Sequence, residues 1–507
     1  MELTIIGAVQ LLLGLGLFVF GSLRGLFAFV MISTLFGGSA AVNLTALGGS
    51  SITPAHFALA FLLLRCVVPG SVPPGNLVDA LRGNAWLVVF VVYGVLAALI
   101  LPRVFAGEID VTPLRGQIRA RYGSELARIL AAAPLRFSPQ NITTAVYMTG
   151  TLMMALAAHT VLRSRPAVAG AAGTAPTPAS RILVRTAATI GIVHALLGFA
   201  SVALRNTPAN VVFEFFRNGN YAQLDHEWNG FVRMNGVLPE ASSYAAFAVV
   251  WFVFNFECWL RGVEPRRTGP AALLLGTALV ASTSSSAYVG LALFGTILAV
   301  RAAVTPRLFT FDRLAWMILA GLAGMVLVSA MLVLNPVLAG ALRDLLEHMT
   351  LDKAGSFSGR QRLFWAGQGL EAFVVSHGLG IGPGSFRSSS LAAAILGSVG
   401  VIGAAAFAGH FLRAFKPLAL STWMRSGEAE RDTAAAAAWA MLVGVGVASV
   451  SAPSCDPGLT FAILSGSAIA LRSGRRTAEA VPGDAGGAAF DVGGAAAFGP
   501  LRVPLPA

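Results

Sequence analysis

The chain has 507 residues, of which 56% are hydrophobic and only 11% charged, with a formal net charge of +12 at neutral pH and a mean hydropathy of +0.74. Those values exclude a soluble globular protein and point to an all-α integral membrane protein in a lipid bilayer. They also set nucleic acid aside as a partner, because the positive charges are scattered between apolar spans and form no basic stripe; nearly all are arginine, with Lys353 and Lys416 the only lysines.

A helix that crosses a bilayer takes roughly 20 apolar residues. Thirteen candidates follow in chain order, near 5–22, 25–42, 52–69, 85–101, 141–162, 183–203, 240–260, 271–283, 285–302, 314–336, 388–412, 434–451 and 455–471. The pattern predicts a polytopic bundle of 12–13 transmembrane helices over residues 1–471. No cleavable signal peptide is expected, since the first run lacks a basic leader and passes straight into the second. The short pair at 271–302 meets in Ser282-Thr283-Ser284-Ser285-Ser286, a polar hairpin that has to face protein or water. Residues 165–180 read as a small-residue linker, and 472–507, rich in Gly, Ala and Pro, as a disordered cytoplasmic tail. Cys66, Cys258 and Cys455 lie in or beside apolar segments without CxxC or metal spacing, and read as small buried residues.

Short-loop arginines set the orientation. Clusters at Arg163, Arg165, Arg181 and Arg185, at Arg261, Arg266 and Arg267, at Arg301, Arg307 and Arg313, at Arg413, Lys416, Arg425 and Arg431, and at Arg472, Arg475 and Arg476 all fall on one side, taken as cytoplasmic. Three long loops, 102–140, 204–239 and 337–387, then lie outside, where ATP and sugar nucleotides are unavailable. They carry Arg103, Arg115, Arg119, Arg121, Arg128 and Arg136, then Arg205, Arg217 and Arg233, then Arg343, Arg360, Arg362 and Arg387. Arginine offers a planar fork matched to phosphate oxygens and keeps its charge, so an anionic ligand is one reading; snorkelling toward lipid headgroups is the other.

The third loop is the richest. Ser358 can cap a helix over about 359–376, stopped by Gly378, with Arg360 and Arg362 in its first turn. Cations are unfavourable there, and an anion held by the helix N-terminus and both guanidinium groups would resolve the conflict. At the end of the second loop, Pro239 suits the first position of a helix and Glu240 its first turn; Glu240 either complements the dipole or deprotonates an acceptor hydroxyl. His377 suits proton transfer or compensation of the helix C-terminus. Gly378, Gly380, Gly382 and Gly384 form a flexible or close-approach turn, with no Gly-Lys-Ser/Thr to make a nucleotide loop. Asp456, in the turn between the last two spans, either forms that turn or lines a site. No set of His, Cys, Asp and Glu has metal spacing, and no cofactor is expected.

In this order the pieces resemble the O-antigen polymerase and ligase superfamily, bacterial membrane enzymes that handle polyprenyl-diphosphate-linked glycans. The resemblance spans roughly 100–465 and rests on Leu101-Pro102-Arg103-Val104-Phe105-Ala106-Gly107, on Arg233 through Glu240-Ala241-Ser242 with Ala241 where the family has proline, on the serine-rich turn at 282–286, and on Arg360 to Gly384 followed by Gly400-Val401-Ile402-Gly403. Ligases of the superfamily carry a catalytic His before the last of these spans; here the stretch reads Arg387-Ser388-Ser389-Ser390-Leu391, which favours a polymerase of O-antigen or exopolysaccharide. The resemblance implies glycosyl transfer from a polyprenyl-diphosphate-linked glycan at the outer face of the inner membrane. Arg360, Arg362 and Arg233 would stabilise the leaving diphosphate. Glu240 is the first choice of base and His377 the second, with Arg103, Arg387 and Asp456 binding substrate. A chain-length regulator and a flippase of the same pathway are the implied partners. The alternatives are a ligase that joins polymer to a lipid or protein acceptor, and a flippase of the lipid-linked unit.

Overall fold

An apolar run satisfies its backbone polar groups internally only as a helix, and the chain follows that rule almost throughout. The computed structural model describes residues 2–44, 50–114, 132–164, 179–219, 227–228, 231–334 and 357–473. The expected linker 165–180 (apart from its last two residues) and all but the first two residues of the expected tail lie outside the described residues, as do Arg115, Arg119, Arg121, Arg128, Arg165, Arg343, Arg475 and Arg476. Residues 1–472 form one compact unit.

The helices in order are α1 (Ile5–Phe20), α2 (Leu23–Ser33), α3 (Pro54–Val67), α4 (Pro74–Gly83), α5 (Ala85–Val104), α6 (Pro139–Arg163), α7 (Ser180–Ala203), α8 (Val211–Phe216), α9 (Ala241–Arg261), α10 (Pro265–Ala281), α11 (Ser285–Val304), α12 (Phe311–Leu334), α13 (Phe357–Val375), α14 (Leu391–Phe415), α15 (Leu420–Trp423), α16 (Ala429–Ala448) and α17 (Gly458–Ser473). Every expected span falls on one of them. Among the described residues six helices, α5, α6, α7, α9, α11 and α14, are long and apolar enough to cross a membrane, while α1, α2, α3 and α17 are apolar but shorter. The largest departure is at 25–42. There α2 ends at Ser33, a 3₁₀ turn covers Thr34–Phe36, and the chain returns as strand β2 (Val42–Leu44), paired antiparallel with β1 (Glu2–Leu3) and β3 (Ser50–Ile52).

The core lies between α9 and its neighbours α7, α10, α11 and α16, and between α14 and α5. Helices α9 and α11 run side by side in the same direction. Gly290 gives room to Val249, Phe294 meets Phe252 and Phe256 edge-on at 5.8 and 5.4 Å, and Arg301 reaches Glu257. At that end of the bundle four charges are buried together. Arg261 Nε donates to Glu257 Oε2 at 3.2 Å and its Nη1 to Asp432 Oδ1 at 3.3 Å, Arg301 grips both oxygens of Glu257, and Arg301 lies over the Trp439 ring at 4.5 Å. Arg472 donates to the Phe415 carbonyl at 3.1 Å. Arg261, Arg301 and Arg472, which the sequence reading placed in clusters on one side of the bilayer, here serve as structural cations at helix ends.

At the opposite end α14 is interrupted. Gly400 has φ 56° and ψ −155°, and the Gly378–Gly382 segment fills the break: Val401 N donates to Gly378 O at 2.9 Å, Ile381 N to Gly397 O at 2.8 Å and Gly382 N to Ser398 O at 3.0 Å. Gly378, Gly380, Gly382 and Gly384 all have φ between 82° and 91°. A Cβ at Gly380, Gly382 or Gly384 would meet the backbone of Ser398, Ala97 or Gln140 at 2.4–2.7 Å. Of the two readings, close approach holds at Gly380, Gly382 and Gly384. A second small core of Phe105, Ile109, Val111, Leu135, Ala372, Ile381 and Phe386 fastens the 102–140 connection to α13 and this segment. Thr112 completes the fastening, its N–H on Gln368 Oε1 at 3.2 Å and its carbonyl on Arg387 N at 2.9 Å.

Candidate functional site

The loop that enters α9 is set by Arg217. Its Nε donates to the Gly236 carbonyl at 3.0 Å, and its Nη2 donates to Asn235 Oδ1 at 2.9 Å and to the Gly236 carbonyl as well. Gly236 takes φ 53° beside the Tyr244 ring, and its N–H donates to Ser201 Oγ at 3.1 Å. Arg217 is therefore spent on shaping this loop, which corrects its place among the anion-binding candidates. Burial, followed by the neighbouring Arg205 charge, lowers its pKa from the usual arginine value.

Glu240 is the N-cap of α9 (φ −154°, ψ 159°), and its carbonyl accepts the first helical bond from Tyr244 N at 3.0 Å. The helix starts two residues later than expected: Ala241, not Pro239, is its first residue, so Pro239 lies before the cap and Glu240 outside the first turn. The carboxylate is held over that turn by two hydroxyls, with Ser242 Oγ donating to Oε1 at 2.5 Å and Ser243 Oγ at 3.3 Å. An N-cap carboxylate is favoured by the helix dipole.

Arg233, in the loop before α9, lies within electrostatic reach of both Glu240 and Arg362 of α13. Arg233 is half-buried, and among the described residues its buried Nε has no hydrogen-bond partner. Burial first, then the Arg362 charge, lowers its pKa, while Glu240 and the Tyr288 phenol act in the opposite sense. Arg362 is half-buried and forms no ion pair among the described residues; its carbonyl accepts Ser389 Oγ at 2.5 Å. Among the described residues Arg233 and Arg362 repel each other in a partly desolvated place, where like charges interact more strongly than in water.

The other expected residues divide. Arg387 lies over the Trp365 ring at 4.4 Å, one turn along α13 from Arg362. Arg360 is exposed near the start of the same helix. That helix begins at Phe357, so Ser358 falls inside it instead of capping it. His377 is exposed at φ 50°, beyond the far end of α13, about 20 Å from Arg362 along the helix axis, which takes it away from the cluster. Arg103 is exposed over the Phe137 ring at 3.5 Å, with Nη1 on the Leu99 carbonyl. Asp456 accepts from Thr151 Oγ1 at 2.8 Å, midway along α6, and from Gly458 N at 3.2 Å, and has no arginine partner among the described residues.

Sequence reasoning missed Tyr288 and the loop-shaping role of Arg217. Tyr288 follows the serine-rich turn and comes within electrostatic reach of Arg233; its place one turn into an apolar helix was the available signal. Arg217 had no local signal, because its partners lie 18 and 19 residues away. Among the described residues no three His, Cys, Asp or Glu side chains come together as a metal site would need. No family model matches the chain, and no curated protein matches it.

Proposed function

We propose that the protein is a membrane glycosyltransferase that polymerises lipid-linked oligosaccharide repeat units, of O-antigen or exopolysaccharide type. In this reading the apolar helices span the bacterial inner membrane and the Arg233–Glu240–Arg362 end opens to the periplasm. The observation that supports it is the approach of two guanidinium groups, Arg233 and Arg362, with Glu240 within reach of Arg233, a pairing suited to a diphosphate. The acceptor hydroxyl oxygen attacks the anomeric carbon of a glycan on polyprenyl diphosphate. The bond from that carbon to the phosphate oxygen breaks, and the leaving diphosphate takes the electron pair. Glu240, pinned by Ser242 and Ser243, takes the hydroxyl proton. The two guanidinium groups stabilise charge that grows on the leaving diphosphate, so they act more on the transition state than on the ground state. Arg387 and Arg360 flank the anion, and the energy of transfer resides in the diphosphate linkage.

The test is a deletion strain whose lipid-linked glycans are extracted and sized. Single repeat units on polyprenyl diphosphate, with polymer restored by the wild-type gene and not by Arg233→Ala or Arg362→Ala variants expressed at normal levels, are expected. Long lipid-linked polymer in the deletion strain would instead make the protein a ligase, and single units retained on the cytoplasmic face a flippase. Full-length polymer from both arginine variants would end the role given to them.

A further inference from the structure

Where α7 and α10 begin, three arginines share one carboxylate. Arg181 Nε lies 3.0 Å from Glu264 Oε1, Arg185 Nη2 lies 3.4 Å from the same oxygen, and Arg267 Nε lies 3.9 Å from Oε2. Arg266 beside them is exposed and forms no ion pair among the described residues. The side chains of Arg181 and Arg185 are 42% exposed and that of Arg267 55%, and ion pairs so open to solvent add little to stability. Glu264 is the N-cap of α10 at φ 46°, yet its side chain makes no capping bond; the carboxylate serves the guanidinium groups instead of the helix. Arg181 stands in the first turn of α7, and Arg266 and Arg267 in that of α10, where the helix dipole disfavours cations. Neither ion pairing nor helix stability accounts for the cluster.

What lies along the two helices identifies its partner. They run in parallel, Arg181 against Glu264 and, farther along, Gly191 against Leu275. From Arg266 the exposed face of α10 continues through Pro270, Leu273, Thr277 and Val280, in steps of three and four that keep to one side of a helix. From Arg185 the outer face of α7 continues through Thr189 and Leu196. The two threonines make no polar demand on this surface, since Thr277 Oγ1 donates to the Leu273 carbonyl at 3.0 Å and Thr189 Oγ1 to the Arg185 carbonyl at 3.1 Å. Trp259 lies against Gly269, two residues past Arg267, and the Arg313 guanidinium sits over its ring at 4.7 Å. Tryptophan settles at headgroup level in a bilayer. Cations beside an indole, above an apolar stripe, match a lipid headgroup with its chains below; a soluble anion has no use for the stripe.

We infer that Arg181, Arg185, Arg266 and Arg267 form a docking surface for an anionic phospholipid. Its phosphate accepts hydrogen bonds from guanidinium groups that Glu264 holds together, and its chains lie along Leu273, Val280 and Leu196. The inference rests on the reading that the apolar helices cross a membrane, and is independent of glycan transfer. In the orientation set by the short-loop arginines the lipid belongs to the cytoplasmic leaflet.

The experiment titrates the full chain, in a mild non-ionic detergent, with phosphatidylglycerol and with phosphatidylcholine of the same chains, and counts bound lipid by native mass spectrometry. Wild type should prefer phosphatidylglycerol by roughly tenfold or more. Arg181→Gln and Arg267→Gln should each weaken phosphatidylglycerol binding roughly fivefold and together roughly twentyfold, with phosphatidylcholine binding unchanged as the sign of an intact fold. Arg431→Gln removes an exposed arginine paired with Glu428 at 3.2 Å and should change neither; an equal loss there would mean that net charge alone attracts the lipid, and would overturn the site. Equal wild-type affinity for the two lipids, or variants that keep the wild-type preference, would overturn it too. Soluble glycerophosphoglycerol, the headgroup without chains, should bind more weakly than the lipid; equal binding would reassign the arginines to a soluble anion. Protein that stays monodisperse without detergent would end the membrane reading and the inference with it.

Discussion

Replacing Glu257 with glutamine tests how the far end of α9 is held. Glu257, Arg261 and Arg301 are no more than 1% exposed and Asp432 2%, and the four formal charges sum to zero. Glu257 alone receives three guanidinium contacts, two from Arg301 and one from Arg261. Glu257→Gln leaves a buried surplus of one positive charge, with Arg301 keeping only the Trp439 ring and a neutral amide. Breaking a buried pair in this way costs about 3–5 kcal/mol. The double variant Glu257→Met with Arg301→Met removes one charge of each sign. Arg261 keeps Asp432 and the carbonyls of Thr422 and Met424 at 2.6 and 2.7 Å, so the double variant should lose less than about 1 kcal/mol or gain stability. Equilibrium unfolding in mixed micelles measures both. A single variant within about 1 kcal/mol of wild type, or a double variant worse than the single, would refute the view that charge balance dominates here.

Three further outcomes follow from the geometry. Arg217→Ala should weaken pyrophosphate binding about tenfold without touching the ligand, because the loop bearing Arg233 loses its fork, and Arg217→Lys should not restore it, since an ammonium cannot span Asn235 and Gly236; titration in nanodiscs decides, and unaltered affinity would show that the loop supports itself. Gly384→Ala places a Cβ 2.4 Å from the Gln140 carbonyl oxygen at φ 84°, and should lower stability by about 3 kcal/mol or more, seen as loss of the monodisperse peak on expression. His377→Gly relieves a left-handed histidine and should stabilise by about 1 kcal/mol with polymer length unchanged; a tenfold drop in polymer would return His377 to the chemistry.

The glycines show how far local sequence carries. Alternate glycines at 378–384 already require left-handed backbone or close approach, because only glycine accepts either freely. At Gly380, Gly382 and Gly384 both apply, and the close approach depends on partners, Ser398, Ala97 and Gln140, that belong to three other helices. The Glu240 cap differs: the helix start shifted by two residues because Pro239 fits equally well just before a cap, and local rules do not separate the two.

The helices themselves were legible in the sequence, since an apolar run with no charged interruption has one way to satisfy its backbone. Their order, the polar hairpin at 282–286 and the arginine-bearing character of the connections also follow from composition along the chain. What each arginine is for does not. Arg217, Arg233 and Arg261 have the same chemistry and similar neighbours in sequence. One shapes a loop, one meets Arg362 from a segment about 130 residues away, and one closes a buried ion network with Asp432. Charge acts through space and burial, and both are properties of the packed chain, so only the tertiary structure separated the arginines that hold the fold from Arg233 and Arg362, which form no ion pair among the described residues.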